Sequence, residues 1–212
     1  HLDHTWGMAP LIQHYTGALI EKRAVKRPRL VAHPGVLTSR RYRDLPQIGA
    51  MLPAESLTPF FDLQFSRKPL RLSERLTFLG EIARRTPFEA HNPLGAIVEN
   101  GVERPDTLPD DSALVYKAAQ GLVIITGCSH SGICNIVTAA QQVTGEKRVL
   151  DIIGGFHLLQ PSEQQLKGTL IFLSAIHSGC VHACHCTDLP SKIALAGVLP
   201  LKEVGVGLVL DY

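Results

Sequence analysis

Apolar residues recur at Met8, Leu11, Ile12, Tyr15, Leu19 and Ile20, at spacings of three, four and one, and this stripe predicts an amphipathic helix within residues 1–24. Residues 30–32 read as a short strand, ended by the turn signal His33-Pro34-Gly35. Residues 40–75 are rich in proline and mixed in polarity, so they read as a long insertion with short elements, of the kind that often carries function. Residues 76–82 look like a strand and 105–111 like a polar loop. A clear alternation follows. Two β-branched runs, 113–116 and 122–126, flank Ala-Gln-Gly and predict a hairpin. A helix from about Ile133 to Val143 ends at Gly145, and a buried strand over 149–153 closes in Gly154-Gly155-Phe156-His157. Ser162 and Glu163 open another helix, ending near Ser178-Gly179. A strand at 180–183, a helix through Ala196 and a last strand over 204–210 complete the pattern. Repeatedly, a strand ends in a turn of small residues that carries a histidine, and in open α/β architectures ligand sites gather at such strand ends.

Composition narrows the class. A chain of 212 residues suits one domain over 1–212 with a substantial core. Its 45% hydrophobic and 19% charged residues exclude disorder. The net charge of +2 is too small for a polyanion-binding surface, although Lys22, Arg23, Lys26, Arg27, Arg29, Arg40, Arg41 and Arg43 concentrate positive charge that reads as a solvated face or a phosphate-binding patch. With aromatics at 6%, nucleic acid is not the expected partner. Five cysteines, three of them at 180, 184 and 186, suit the reducing cytoplasm, and no apolar run approaches the roughly 20 residues that span a bilayer. The sequence opens on His1 without Met, inside what looks like a motif, so the start is expected to be missing.

Three potential ligands stand within four residues in His1-x-Asp3-His4. Imidazole and carboxylate are donors that zinc, manganese and ferrous iron accept; the competing role is a helix N-cap through Asp3 or Thr5. His130 lies in Gly127-Cys128-Ser129-His130-Ser131-Gly132, a turn whose small residues let a metal approach the backbone. Ser129 or Cys128 as a nucleophile with His130 as base is the rival, weakened by adjacency and by the lack of an orienting third group. His182-Ala-Cys184-His185-Cys186-Thr187 resembles a small zinc knot in isolation, but no second Cys pair exists, which favours His185 as a ligand of a distant site.

Together, His-Leu-Asp-His-Thr at 1–5, Gly80-Glu81-Ile82 with Arg84, the run from Ile125 to Ile133, Ile153-Gly154-Gly155-Phe156-His157-Leu158 and His185-Cys186-Thr187 resemble the metallo-β-lactamase superfamily, in particular the branch of dihydropterin-ribofuranosylaminobenzene phosphate synthase-like proteins. The resemblance runs over nearly the whole chain. It implies an α/β fold of α+β type, an αββα sandwich, N-terminally incomplete and lacking its opening strands. It also implies two divalent metal ions, zinc first and manganese or iron as alternatives. The family's first motif is His-x-His-x-Asp-His, so the sequence begins at its second histidine and one ligand falls outside it. By position His1 and His130 serve one ion, Asp3, His4 and His185 the other, and His157 is a further ligand or substrate contact. Departures are Trp6, Ala83 and Asp188, where Gly, Pro and Gly are common.

The reaction so implied is hydrolysis of a small ester, thioester or phosphoester by a hydroxide bridging the ions, with Asp3 orienting it and accepting a proton and His157 assisting the leaving group. Arg84 and Arg85 are candidate clamps for an anionic small-molecule substrate, or solvated surface residues. Alternatives are a pterin-related synthase using the same metals, a non-catalytic metal- or ligand-binding relative, and a nuclease using the basic stretch.

Overall fold

In chain order the elements are α1 (Met8–Ile20), β1 (Arg29–Ala32), β2 (Ser39–Arg41), α2 (Ala54–Leu57), β3 (Asp62–Phe65), β4 (Leu70–Arg71), β5 (Leu76–Phe78), β6 (Ala96–Glu99), β7 (Val102–Pro105), β8 (Ala113–Lys117), β9 (Leu122–Thr126), α3 (Ile133–Thr144), β10 (Val149–Gly155), α4 (Glu163–Ala175), β11 (Cys180–Cys184) and α5 (Leu189–Ala196). A computed structural model describes residues 1–212, which fall into two units: 1–67 with 92–110, and 68–91 with 111–212.

In the first unit, β1 and β3 pair in parallel, and β2, β6 and β7 form an antiparallel sheet. The β6–β7 hairpin turns on Asn100-Gly101, both at positive φ (52° and 76°), the backbone that a two-residue hairpin favours and that Asn-Gly supplies. The helix expected near the start forms as α1. Its apolar stripe is mostly solvated, however: Leu19 is 63% and Ile20 75% exposed, only Ala18 is buried, and Tyr15 meets Phe61 edge-on. Arg40 is fully buried, its Nε 2.7 Å from Asp106 Oδ2 and its Nη2 paired with Asp110. Arg23 pairs with Glu21, Arg27 with Asp62 and Arg41 with Glu103, so half of the basic stretch is already engaged with carboxylates.

The second unit is built on a six-stranded sheet in the order β11-β10-β9-β8-β5-β4. The expected β8–β9 hairpin is present and antiparallel, whereas β9, β10 and β11 run parallel and are connected through α3 and α4, as parallel neighbours require. Alternate residues Val115, Ile124, Ile152 and Val181 are fully buried with Ile133, Ile136, Val137 and Ala140 of α3 and Leu173 of α4. Each such side chain contributes about 1.5–3 kcal/mol by leaving water.

Two sequence expectations differ. The strand over 76–82 stops at Phe78, because Leu79 and Ile82 enter the core from a loop. No strand forms over 204–210: the outer edge of β11 is taken by residues 200–202, where Val181 N–H donates to Pro200 and Lys202 N–H to Val181. Gly205 and Gly207 then turn the chain while Val206 and Val209 stay in solvent. No helix is long and apolar enough to cross a membrane.

Candidate metal centre

The parallel strands β9, β10 and β11 all end at one edge of their sheet, and their following loops carry His130, His157 and His185. Hydrogen bonds lace these loops together. Gly155 N–H donates to Gly127 O (2.8 Å), Phe156 N–H to Thr187 Oγ1 (3.0 Å) and Leu158 N–H to Cys186 O (2.9 Å). The glycines make the approach possible. A Cβ at Gly154 would lie 2.2 Å from Thr126 O, and one at Gly155 2.6 Å from Cys186 Sγ and 2.7 Å from Gly127 O. Ser129, His157 and His185 take left-handed backbone (φ 62°, 51° and 50°), which costs a non-glycine residue roughly 1–3 kcal/mol and concentrates where a site demands it.

Within this edge the rings of His130 and His157 stand 4.3 Å apart at 56°, both half-buried, and His157 Nδ1 is buried without a hydrogen-bond partner. Cys128 Sγ and a ring nitrogen of the exposed His185 lie within 4.8 Å of each other. An unsatisfied imidazole nitrogen amid further imidazole and thiol donors is a donor set that a zinc-like ion fits. Cys186 Sγ lies 3.2 Å from Cys128 O, and hydrogen bonding from the Cys128 side chain first, then from His157, outweighs burial and draws the Cys186 thiol down to about 4.

In the first unit, His1, Asp3 and His4 sit on a single turn of 3-10 helix (Leu2–His4), with Leu2 N–H tied to Ile48 O (2.7 Å) and the Thr5 hydroxyl donating to His1 O and Leu2 O. Neither Asp3 nor Thr5 caps α1 with its side chain, so the capping role weighed for them is not used. His4 Nε2 lies 3.5 Å from Asp3 Oδ2, and both side chains are open to solvent.

The supports are long-range. Gly132 heads α3 without a side-chain cap, and the buried Glu89 supplies one instead: its carboxylate accepts from Asn135 N–H (2.8 Å) and Cys134 N–H (3.3 Å). Desolvation nonetheless pushes the Glu89 carboxyl up. Asn135 Oδ1 accepts from Arg85 N–H, Thr86 N–H and the Thr86 hydroxyl, locking that loop to α3 beside a cavity lined by Arg85, Thr86, Pro87 and Thr138; Arg84 is half-buried there and Arg85 exposed. Asp111 accepts from Ser131 N–H and hydroxyl. Asp188 caps α5, where the N–H groups of Gln160 and Ser191 hold its carboxyl below the usual range.

Ser129 is 1% exposed and its hydroxyl donates to Gly155 O (2.6 Å), a structural task that leaves it no approach to a substrate. The compact Cys/His knot is divided: His182 points to Asp151 (Nδ1 to Oδ2 2.7 Å), while His185 follows the end of β11. Sequence reasoning passed over Glu89, Cys186 and Asp151. Only the CHC run signalled one of them, because the other two act across 45 and 31 positions.

No family model matches the chain. It is 33% identical over 130 residues to the 7,8-dihydropterin-6-methyl-4-(β-D-ribofuranosyl)-aminobenzene-5'-phosphate synthase of Methanocaldococcus jannaschii, covering 60% of this chain and 44% of that protein. An uncharacterized protein of the same organism is 29% identical over 135 residues, covering 64% and 49%. The chain thus spans about half the length of the curated relatives it matches. The crystal structure of a metal-dependent hydrolase of the β-lactamase superfamily superposes with a TM-score of 0.77 at 25% identity, over 87% of this chain and 71% of that one. The chain thus has the fold of a β-lactamase-superfamily hydrolase and is similar in sequence to the dihydropterin-ribofuranosylaminobenzene phosphate synthase.

Proposed function

We propose that the chain is a metal-dependent hydrolase acting on a small, anionic ester, thioester or phosphoester, with two divalent ions, zinc first, held by His1, Asp3, His4, His130, His157 and His185. The observation that carries the reading is the pairing of His130 and His157 at 4.3 Å, with a buried, unsatisfied His157 nitrogen, on strand-end loops that hydrogen bonds hold in place. The solved relative's name, a metal-dependent hydrolase, supports it. When bound, the ions supply a nucleophile from water at neutral pH and stabilise negative charge on the attacked centre. Asp3 accepts the proton released, His157 donates to or steadies the leaving group, and Arg84 with Arg85 orients the anionic end of the substrate. Five cysteines, three of them at 180, 184 and 186 and none in a disulfide, support a reducing compartment such as the cytoplasm for this chemistry.

A second reading has an equal claim. The 33% identity over 130 residues supports a synthase that builds a dihydropterin-ribofuranosylaminobenzene phosphate with the same donors. Elemental analysis of wild type beside His130→Ala and His185→Ala tests the centre common to both. About two equivalents of metal at this centre should fall in each variant; metal content indifferent to both substitutions refutes the centre. Hydrolysis of ester, thioester and phosphoester panels, set against product formation from a dihydropterin and a ribofuranosylaminobenzene phosphate, then separates hydrolase from synthase.

A further inference from the structure

Asp151, Cys180 and His182 form a second group of donors on the same sheet, away from the strand ends. In the parallel pairing of β10 with β11, Asp151 lies opposite Cys180 and Ile153 opposite His182, so all three side chains leave one face of the sheet. The intervening Ile152 and Val181 point to the opposite face, into the core. Asp151 is fully buried, His182 is 5% exposed and Cys180 half-buried. One donor atom from each lies within 4.8 Å of the others. At about 3.3 Å per residue, Asp151 sits some 13 Å back along its strand from Gly155, where the loop carrying His157 begins.

We propose that Asp151 (carboxylate), Cys180 (Sγ) and His182 (Nδ1) bind a zinc ion in a structural site separate from the strand-end centre, with the Tyr212 hydroxyl beside Asp151 as the fourth donor. The chemistry of the set favours zinc, a borderline-soft ion that takes sulfur, nitrogen and oxygen together. Charge balance favours it too. Asp151 accepts from the Tyr212 hydroxyl and lies 2.7–2.9 Å from His182 Nδ1, so its fully buried carboxylate is within reach of both other donors. A divalent ion bound to one carboxylate and one thiolate leaves the site neutral, the condition under which buried charge is tolerated. On binding, the Cys180 proton, now directed at Leu150 O (3.7 Å), leaves to solvent as the S–Zn bond forms, and the His182–Asp151 hydrogen bond opens from 2.7 Å to the roughly 3.3 Å between donors on a tetrahedral ion. The pairing of β10 with β11 holds Asp151, Cys180 and His182 in register.

Cobalt(II) reports on this site, because a thiolate ligand gives a near-ultraviolet charge-transfer band that histidine and carboxylate do not. Titration of the metal-stripped full chain carrying Cys128→Ser and Cys186→Ser, which removes the two thiols beside the strand-end centre, should raise the band to saturation. The band should be lost in Cys180→Ser, strongly weakened in His182→Gln and retained in His130→Ala. Cys180→Ser keeps the bonds of Asp151 to His182 and Tyr212, and circular dichroism verifies that it folds. In that Cys128→Ser, Cys186→Ser background, absence of the band, or a band that survives Cys180→Ser, overturns the proposal. Loss of metal from the strand-end centre in His130→Ala leaves this result unaffected, so the two sites fail or stand independently.

Discussion

Replacing Glu89 tests whether the loop that carries His130 is held from a distance. Glu89 accepts the N–H groups of Cys134 and Asn135 in the first turn of α3, where Gly132 offers no side-chain cap. In Glu89→Ala two buried donors lose their acceptor, at about 1–3 kcal/mol each, and the helix start loses a charge worth up to about 2 kcal/mol. Relief of the desolvation that raises the Glu89 carboxyl offsets part of this, leaving a net loss of about 2–4 kcal/mol. For a chain of this size 3 kcal/mol lowers the thermal midpoint by about 6–12 °C. Glu89→Gln keeps an oxygen for Asn135 but turns an amide N–H towards that of Cys134, and should cost about 1–2 kcal/mol. Urea unfolding followed by circular dichroism measures both. A Glu89→Ala loss below about 1 kcal/mol would refute the reasoning. The pH dependence has a definite sign. Because the folded carboxyl titrates above 4.5, the folded state holds a proton that the unfolded state has released, so wild-type stability falls as pH rises from 4.5 through the folded value. Glu89→Gln should lack that slope.

Gly155→Ala should dismantle the strand-end edge, since its Cβ meets Cys186 Sγ at 2.6 Å and Gly127 O at 2.7 Å; a stability loss of about 1–3 kcal/mol with reduced metal content is expected, and unchanged metal content counts against the packing argument. Ser129→Ala should cost about 1–2 kcal/mol through the bond to Gly155 O while metal content persists; abolished turnover in a folded, metal-loaded variant would restore Ser129 as a nucleophile. Arg40→Ala strands the buried carboxylates of Asp106 and Asp110 and should cost about 3–5 kcal/mol in urea unfolding; a loss under about 1 kcal/mol would mean that water reaches them.

The second unit was the legible part of the sequence. Its elements are announced locally: the β8 and β9 runs by β-branching, α3 by its stop at Gly145, α4 by Ser162, whose hydroxyl accepts from Gln165 N–H. The histidines that end the strands were legible for the same reason. What escaped depends on register or distance. The Asp151–His182 pair exists only because β10 and β11 align as they do, and Glu89 reaches α3 across 45 positions. The β6–β7 hairpin was missed although Asn100-Gly101 signals its turn, because the exposed, charged β7 gives no apolar period to accompany it. The strand expected over 204–210 had the right composition and no partner, since residues 200–202 already occupy the edge of β11.

The left-handed backbone at His157 and His185 sets a selection problem. Glycine adopts that conformation without strain, so at either position it would relieve roughly 1–3 kcal/mol of it. Variants selected for thermal survival alone should therefore drift away from histidine at the two positions where the proposed chemistry needs it. Among sequences of this kind, histidine kept at both would be a signature of selection for turnover.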